Sequence, residues 1–298
     1  MDQIITYKKV TITIRRDDLL HPFISGNKFR KLKHNIEIVK QNKFKGILTF
    51  GGAFSNHIAA TAAAGFAYSI PTVGVIRGEE WQFKSDENPT LLFAKQNGMH
   101  LHFFSRDKYR NKQDVSVIQE LQNLFPDYYF VPEGGSNKLA VLGCEEIINP
   151  EQDAKFDYVC CAAGTGATIS GIYNQLQPHQ KAIAFMALND YSVLDAVVNW
   201  TTNRRNDLYF CFDYNLGAYA KINDALIAFI NDFFNKFGIP LDPIYTGKMF
   251  FGIIDLIDKQ IIAPGSQILA IHTGGLQGID GINKQRIKKN KTTIQVVF

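Results

Sequence analysis

Lys28 is the residue of this 298-residue chain whose type and setting best fit covalent chemistry. It follows the turn pair Gly26-Asn27 at the predicted start of a helix, and Arg30 and Lys31 come just after it. Neighbouring cations disfavour a further ammonium group and therefore lower its pKa, as an imine-forming amine requires. Lys31 falls on the same helix face and is placed to reach the phosphate of a bound cofactor. A solvated surface lysine is the alternative, since most lysines are of that kind.

The segment Gly164-Thr165-Gly166-Ala167-Thr168 predicts an anion-binding loop, because it joins an apolar run to a predicted helix. Glycines let backbone amides turn toward one point, and a helix N-terminus adds partial positive charge there. The dinucleotide pattern G-x-G-x-x-G does not fit, since its third glycine would fall on Ile169, and no Gly-Lys-Ser/Thr completes a P-loop. A compact site for one phosphate and a tight turn that binds nothing are the two interpretations left.

Short apolar runs alternate with helical patterns, and this alternation predicts parallel sheets covered by helices. Strands are expected near residues 11–14, 46–50, 72–76, 100–104, 128–131, 158–162, 182–188, 208–212 and 268–272. Helices are expected near residues 27–39, 56–67, 89–96, 114–124, 138–148, 168–176, 224–237 and 248–259. Ligands bind such sheets at the carboxyl ends of strands. Four glycine-rich segments with hydroxyl or amide side chains follow apolar runs and are therefore candidate site segments: 51–57, 133–136, 164–168 and 272–275.

The composition argues against several classes of protein, namely nucleic-acid-binding, secreted and membrane-spanning proteins. Hydrophobic residues make up 46% of the chain and charged residues 20%, which is ordinary for a globular protein, and the formal net charge of +4 is small. The basic cluster at 284–291 predicts a solvated turn rather than a nucleic-acid patch, because no aromatic or motif context accompanies it. The four cysteines form no Cys-x-x-Cys pair, residues 1–10 lack the apolar segment of a secretory signal, and no apolar stretch could span a bilayer. We therefore expect a soluble cytoplasmic protein with no nucleic-acid, membrane or metal partner.

A series of motifs runs in order along nearly the whole chain. They are Arg16-Asp17-Asp18, Ser25-Gly26-Asn27-Lys28, Gly51-Gly52 with Ser55-Asn56-His57, Gly164-Thr165-Gly166-Ala167-Thr168, Asp242-Pro243-Ile244-Tyr245-Thr246-Gly247-Lys248 and His272-Thr273-Gly274-Gly275. Each motif is weak by itself, but their order and spacing are specific. Together they resemble the 1-aminocyclopropane-1-carboxylate (ACC) deaminase and D-cysteine desulfhydrase family. The resemblance implies fold type II, the tryptophan-synthase-β type, and the cofactor pyridoxal 5′-phosphate (PLP).

The resemblance also implies how the cofactor is held. Lys28 would carry it as an imine, Asn56 would bind the ring hydroxyl, and Thr246 would face the pyridine nitrogen. The full set of implied cofactor-binding residues is Lys28, Lys31, Asn56, Gly164, Thr165, Gly166, Ala167, Thr168, Thr246 and Thr273. Within that set, Lys31 and residues 164–168 would bind the phosphate.

Catalytic and substrate-binding roles follow from the same resemblance. Ser55, Asn56 and His57 would hold the carboxylate of a small amino-acid substrate. Lys28, Ser55, Tyr245 and Tyr219 would be the catalytic residues. A helix cap at Ser55-Asn56 and a packed core role for Tyr245 are the structural alternatives.

Three positions favour the desulfhydrase pattern. ACC deaminases of the family carry Glu after the active-site tyrosine, Leu before the last Gly-Gly and Gln after Ser-Asn, where this chain has Thr246, Thr273 and His57. A carboxylate beside the pyridine nitrogen would deepen the electron sink, and a neutral threonine leaves it weaker. A weaker sink suffices when Cβ bears a good leaving group. The sequence therefore predicts β-elimination of D-cysteine, with ACC, D-serine or β-chloro-D-alanine as alternative substrates and a non-catalytic PLP or phosphate-ligand binding protein as a distant alternative.

The expected architecture has two α/β domains around the cofactor. Residues 32–140 would form the smaller domain, and residues 1–31 with 141–298 the larger, PLP-binding domain. The resemblance further implies a homodimer.

Overall fold

The computed structural model describes residues 1–202, 207–217 and 220–295, and this part of the chain contains ten strands in two sheets. The strands are β1 (Asp2–Tyr7), β2 (Val10–Arg15), β3 (Gly46–Gly52), β4 (Thr72–Arg77), β5 (His100–Phe104), β6 (Tyr128–Val131), β7 (Tyr158–Ala163), β8 (Lys181–Met186), β9 (Leu208–Cys211) and β10 (Gln267–Ile271). The larger sheet has the order β1-β2-β10-β7-β8-β9, and the smaller has the order β5-β4-β3-β6. Apart from β1 with β2, the neighbouring strands are parallel. The predicted α/β class with parallel sheets is confirmed.

The α-helices of the described residues cover both sheets. They are α1 (Asn27–Gln41), α2 (Asn56–Tyr68), α3 (Pro89–Gln96), α4 (Arg106–Arg110), α5 (Val115–Leu124), α6 (Lys138–Glu145), α7 (Ala167–Asn174), α8 (Ser192–Trp200), α9 (Asp224–Phe237), α10 (Thr246–Asp258) and α11 (Ile279–Ile287). Each helix predicted from the sequence overlaps one of these, whereas α4, α8 and α11 were not predicted. Helix α4 is a single short segment, α8 has no side-chain cap at Tyr191, and α11 is largely polar, so their periodic signal is weak.

Strand β1 was also absent from the sequence prediction. It pairs with β2 through a two-residue turn in which Lys8 and Lys9 both have positive φ, +44° and +66°. Two-residue hairpins require this backbone conformation and usually place Asn or Gly there. A Lys-Lys turn carries no such signal, so the hairpin was not recognisable from the sequence.

Helix α2 is buried along most of its length, as its alanine-rich sequence predicted. Ala60, Ala63 and Ala64 pack on one side with α1, while Ile58 and Ala62 pack on the other side below β4. Small side chains let the helix lie close to β3. This packing fixes the N-terminus of α2, where Ser55 and Asn56 lie, above the carboxyl end of β3.

The carboxyl ends of the two sheets border one cavity. Residues that end or follow β3, β4, β6, β7, β8 and β10 all contribute to its walls, as expected for parallel sheets. Strands β3 to β6 lie between residues 46 and 131; the domain boundary at 32–140 stays a prediction. Within the described residues, no helix is both long and apolar enough to cross a membrane.

Candidate active site

Lys28 lies in the first turn of α1 and lines the cavity. Its Nζ atom is 3.4 Å from the carbonyl oxygen of Gly134. Burial lowers the pKa of Lys28 well below its usual value, and the nearby Lys31 ammonium lowers it further. The structure therefore places a lysine amine of lowered pKa at the cavity, and its role as the imine lysine stays a prediction.

Gly26 determines how α1 approaches the cavity. Its φ is +62°, and a Cβ atom there would lie 1.9 Å from the carbonyl oxygen of Thr273. Only glycine fits such a contact. The backbone amide of Asn27 donates to the same carbonyl at 3.3 Å. Two motifs that are about 240 residues apart in sequence thus touch directly beside Lys28.

Lys31 joins the loops that follow β6 and β7. Its Nζ atom donates to the carbonyl oxygen of Gly134 at 3.1 Å, to Ser136 Oγ at 3.0 Å and to Thr165 Oγ1 at 3.4 Å. The side chain is almost completely buried, and burial lowers the pKa of Lys31. No carboxylate is among these partners, so the positive charge of Lys31 is available to an anion in the cavity.

The N-terminus of α7 supplies the second part of an anion site. Gly166 precedes the helix with φ +87°, and no side chain caps the helix there. The first backbone amides of α7 are therefore available as donors beside Lys31. Thr168 Oγ1 accepts a hydrogen bond of 2.8 Å from Asn27 Nδ2, which ties the start of α7 to the start of α1. Ala167 contributes its backbone only, because its side chain packs in the core.

Tyr245 lies across the same loop. Its ring is 3.3 Å from the position that a Cβ atom on Gly164 would take. The turn that carries it is held by Asp242, whose Oδ2 atom accepts from the backbone amides of Ile244 and Tyr245, both at 2.9 Å. This turn places the tyrosine ring on the phosphate loop.

Thr246 directs its side chain to Asp242, and its predicted place at the pyridine nitrogen stays a prediction. Its hydroxyl donates to Asp242 Oδ1 at 2.7 Å and accepts from the backbone amide of Asp242 at 3.0 Å. The residue is fully buried and is not part of the cavity wall, whereas Thr273 is. The Asp242 carboxylate accounts for this, because it needs donors in a buried position.

Ser55 and Asn56 stand at the N-terminus of α2 and line the cavity. Ser55 Oγ accepts from the backbone amides of His57 and Ile58 at 3.2 and 3.4 Å, so it is the helix cap. No described residue accepts the hydrogen of its hydroxyl, which is therefore available to a ligand. Asn56 Oδ1 accepts from Gln277 Nε2 at 2.6 Å. Ser55 can therefore cap α2 and donate a hydrogen bond to a ligand at the same time.

His57 turns its ring away from Ser55 and toward β3. Its Nε2 atom lies 2.7 Å from Thr49 Oγ1, and Thr49 donates its own hydrogen to the carbonyl oxygen of Val131. Nε2 must therefore be the protonated nitrogen. Burial, with Lys28 and Lys31 nearby, lowers the pKa of His57 well below its usual value, so the ring is neutral. Its predicted contact with a substrate carboxylate stays a prediction, and the geometry gives it a role in supporting the Gly135 loop, which packs on the ring.

The cavity has a volume of about 740 Å³, within the range of small-molecule sites. Of the residues implied by the resemblance, its walls contain Lys28, Lys31, Ser55, Asn56, His57, Gly164, Thr165, Gly166, Thr168, Tyr245 and Thr273. Tyr219 lies outside the described residues. The sequence analysis did not single out several other wall residues, namely Phe23, Phe54, Arg77, Asp190 and Gln277. Arg77 could have been found, because it ends an apolar run at the carboxyl end of a strand.

These groups fit PLP. A neutral lysine amine suits its aldehyde, while Lys31 and the uncapped N-terminus of α7 suit its phosphate. No cluster of three or more His, Cys, Asp or Glu side chains in the described residues could hold a metal ion. The chain matches the family model described as pyridoxal-phosphate dependent enzyme over residues 5–274.

The chain belongs to this family of pyridoxal-phosphate-dependent enzymes.

The relatives of this PLP-dependent enzyme are named for two activities, ACC deaminase and D-cysteine desulfhydrase. It is 30% identical over 286 residues to a putative ACC deaminase of Pyrococcus horikoshii, covering 90% of this chain and 85% of the relative. It is 29% identical over 294 residues to the mitochondrial bifunctional D-cysteine desulfhydrase/ACC deaminase of Arabidopsis thaliana, covering 89% and 72%. A D-cysteine desulfhydrase of Serratia proteamaculans is 27% identical over 296 residues, covering 92% and 89%.

A solved structure agrees with these relatives. The crystal structure of an ACC deaminase homologue superposes with a TM-score of 0.80 at 27% identity, covering 93% of this chain and 88% of the other. The predicted family, fold type II, PLP cofactor and enzyme class are confirmed by this set of matches. The roles of individual residues stay predictions.

Proposed function

We propose that this PLP-dependent enzyme deaminates a small amino acid by β-elimination, with D-cysteine as its substrate. D-Cysteine and water would give pyruvate, hydrogen sulfide and ammonia. The desulfhydrase names among the relatives support this reaction class, and ACC deaminase names support the rival. The observation that carries the choice is that neutral residues, Thr246 and Thr273, follow Tyr245 and precede Gly274-Gly275, where the ACC deaminase pattern has Glu and Leu.

Carboxylates are scarce in the walls of the cavity. Among the described residues, the walls contain two, Glu133 and Asp190. Glu133 accepts from Tyr109 at 2.8 Å and pairs with Lys112 at 3.1 Å. The position after Tyr245, where the ACC deaminase pattern has its glutamate, is occupied by the neutral Thr246. A site without that acid favours a substrate with a good leaving group on Cβ over the opening of an unactivated ring.

The protein's own side chains would transfer the α-proton and bind the substrate. When bound, PLP supplies the electron sink for the charge that develops as the α-proton leaves. Lys28, whose pKa is lowered by burial and by the nearby Lys31, is the base that we propose for that proton, with the Tyr245 hydroxyl as the alternative. The Ser55 hydroxyl, Asn56 and the N-terminus of α2 would hold the substrate carboxylate.

Pyruvate release tests the proposal. PLP-loaded protein would be assayed side by side with D-cysteine, L-cysteine, D-serine and ACC. We expect D-cysteine to react and ACC to react little. Turnover of ACC without D-cysteine would overturn the substrate assignment. Lys28→Ala should abolish both turnover and the imine absorption of the cofactor, whereas Lys33→Ala, on the exposed face of α1, should preserve both.

We also propose the two-domain division at residues 32–140 and a cytoplasmic homodimer. Exposed apolar side chains, among them Phe23, Phe66 and Phe83, offer surface for pairing. Sedimentation equilibrium of the PLP-loaded protein tests the oligomeric state, and a monomer at micromolar concentration would contradict it.

A further inference from the structure

Arg77 ends β4 and lines the same cavity as Lys28 and Ser55. In the parallel pairing of β3 and β4 its partner is Gly52, the last residue of β3 before the loop that leads to Ser55. The Arg77 Nη2 atom is 3.8 Å from the position that a Cβ atom on Gly52 would take. A Cβ atom there would make only an ordinary van der Waals contact with the guanidinium, so the ends of β3 and β4 lie side by side at the cavity.

The guanidinium of Arg77 has neither an ion pair nor a hydrogen bond with any described residue. Its neighbours differ in this respect, since Arg106 pairs with Glu80, Lys108 with Glu120 and Lys112 with Glu133. Glu133 is the carboxylate of the wall on this side, and Tyr109 and Lys112 already occupy it. Among the described residues this exposed cation has no anionic partner, and it lines the substrate space.

Tyr109 orients this cation. The Arg77 guanidinium carbon lies 5.9 Å from the centre of the Tyr109 ring, within the range of a cation–π contact. Tyr109 is buried, and its hydroxyl donates to Glu133, so the ring is fixed. A guanidinium held on a rigid ring loses little freedom when it binds, which favours recognition of a planar or multivalent anion.

We infer that Arg77 lets the enzyme take, besides D-cysteine, substrates that carry an anionic group beyond Cβ, such as a phosphate, sulfonate or carboxylate. The α-carboxylate already has its own proposed site at Ser55 and Asn56, so Arg77 serves a second anion. This inference rests on the proposed β-elimination and adds a second substrate class to it. A guanidinium is the side chain best suited to bidentate contact with such groups.

O-phosphoserine is a suitable test substrate because its reaction balances without any further reagent. The α-proton passes to Lys28, the Cβ–O bond breaks with its electron pair on phosphate, and one water molecule completes the products pyruvate, ammonia and phosphate. β-Chloroalanine undergoes the same elimination but is neutral at Cβ. Comparing the two substrates isolates the contribution of the second anion.

The first experiment compares kcat/KM for both substrates, in both enantiomers, on the PLP-loaded wild type and Arg77→Gln. We expect Arg77→Gln to lower kcat/KM for O-phosphoserine by about 10- to 100-fold, the effect of losing a charge-assisted hydrogen-bond pair. The value for β-chloroalanine should change less than about threefold. Arg77→Lys should give an intermediate loss. Arg106→Gln, an exposed arginine of the same region that pairs with Glu80, is the matched control and should leave both values unchanged.

The second experiment does not depend on turnover. Binding of 2-amino-3-phosphonopropionate, whose C–P bond is inert, would be compared with binding of alanine by calorimetry on the PLP-loaded enzyme. We expect the phosphonate to bind at least about 10-fold more tightly than alanine to the wild type, and Arg77→Gln to abolish the difference. Equal losses for charged and neutral ligands, or no preference for the phosphonate, would overturn the inference. A preserved Arg77-dependent preference without any elimination would instead overturn the proposed function alone.

Discussion

The side-chain amide of Asn27 donates a hydrogen bond of 2.8 Å to the hydroxyl of Thr168, 141 residues further along the chain. This contact joins the first turn of α1, which carries Lys28, to the first turn of α7, which forms the proposed phosphate site. The distance between the lysine amine and the phosphate site therefore depends on it.

A double-mutant cycle of Asn27→Ala and Thr168→Val tests this link. Each single variant should lower the free energy of unfolding, and the double variant should lose less than the sum, with a coupling energy of about 1 kcal/mol. Urea denaturation of the cofactor-free protein measures all four values. Thr168→Ser keeps the hydroxyl and is the control. Additive losses would mean that the two side chains do not stabilise one another.

Lys31→Met should weaken cofactor binding. The variant removes the ammonium that faces the phosphate site while it keeps a buried, flexible side chain of similar length. Hydrogen bonds to charged groups contribute about 1.5–3 kcal/mol, so the Kd of PLP should rise about 10- to 100-fold in an absorbance titration. Lys33→Met, on the same helix but paired with Glu146 at the surface, should bind PLP like the wild type. An unchanged Kd for Lys31→Met would remove Lys31 from the phosphate site.

Thr246→Val should destabilise the fold. The exchange removes a donor to the buried Asp242 carboxylate and an acceptor for the Asp242 backbone amide. A buried group left without its partner costs about 1–3 kcal/mol, measurable as a lower urea midpoint. Thr246→Ser retains the hydroxyl and should lose under about 1 kcal/mol. If Val and Ser variants were equally stable, the hydroxyl would have no structural role.

His57 should make the stability of the cofactor-free protein depend on pH. Its pKa in the folded protein lies well below the usual value of about 6.5. The unfolded chain therefore takes up a proton as the pH falls through 6.5 while the folded chain does not, so stability decreases below that pH.

Urea midpoints measured between pH 7.5 and pH 5 give the experimental readout. Wild type should lose stability over this interval with a contribution approaching one proton, and His57→Gln should lose less. His100→Gln, an exchange at an exposed histidine, should keep the wild-type slope. A parallel pH dependence in wild type and His57→Gln would show that His57 is not the group that titrates.

The sequence by itself determined the class of fold and where the site would lie. Runs such as 46–50 and 158–162 and the helical patterns between them are local properties of the chain, and parallel sheets place their carboxyl ends together. The glycine-rich segments after those runs therefore pointed to one edge before any contact was visible. Lys28 could be recognised for the same reason, because its turn and its cationic neighbours are adjacent in sequence.

Only the tertiary structure decided where the side chains of the site point. Thr246 turns its hydroxyl to Asp242, because a buried carboxylate takes the nearest donors. His57 turns to Thr49, on the strand below, and not toward the cavity mouth. Arg77 joins the cavity through its pairing with Gly52, and its guanidinium is left without an acid because Lys112 and Tyr109 occupy Glu133. In each case tertiary packing brings the partner that orients the side chain close to it. Packing depends on the whole chain and not on local residue spacing.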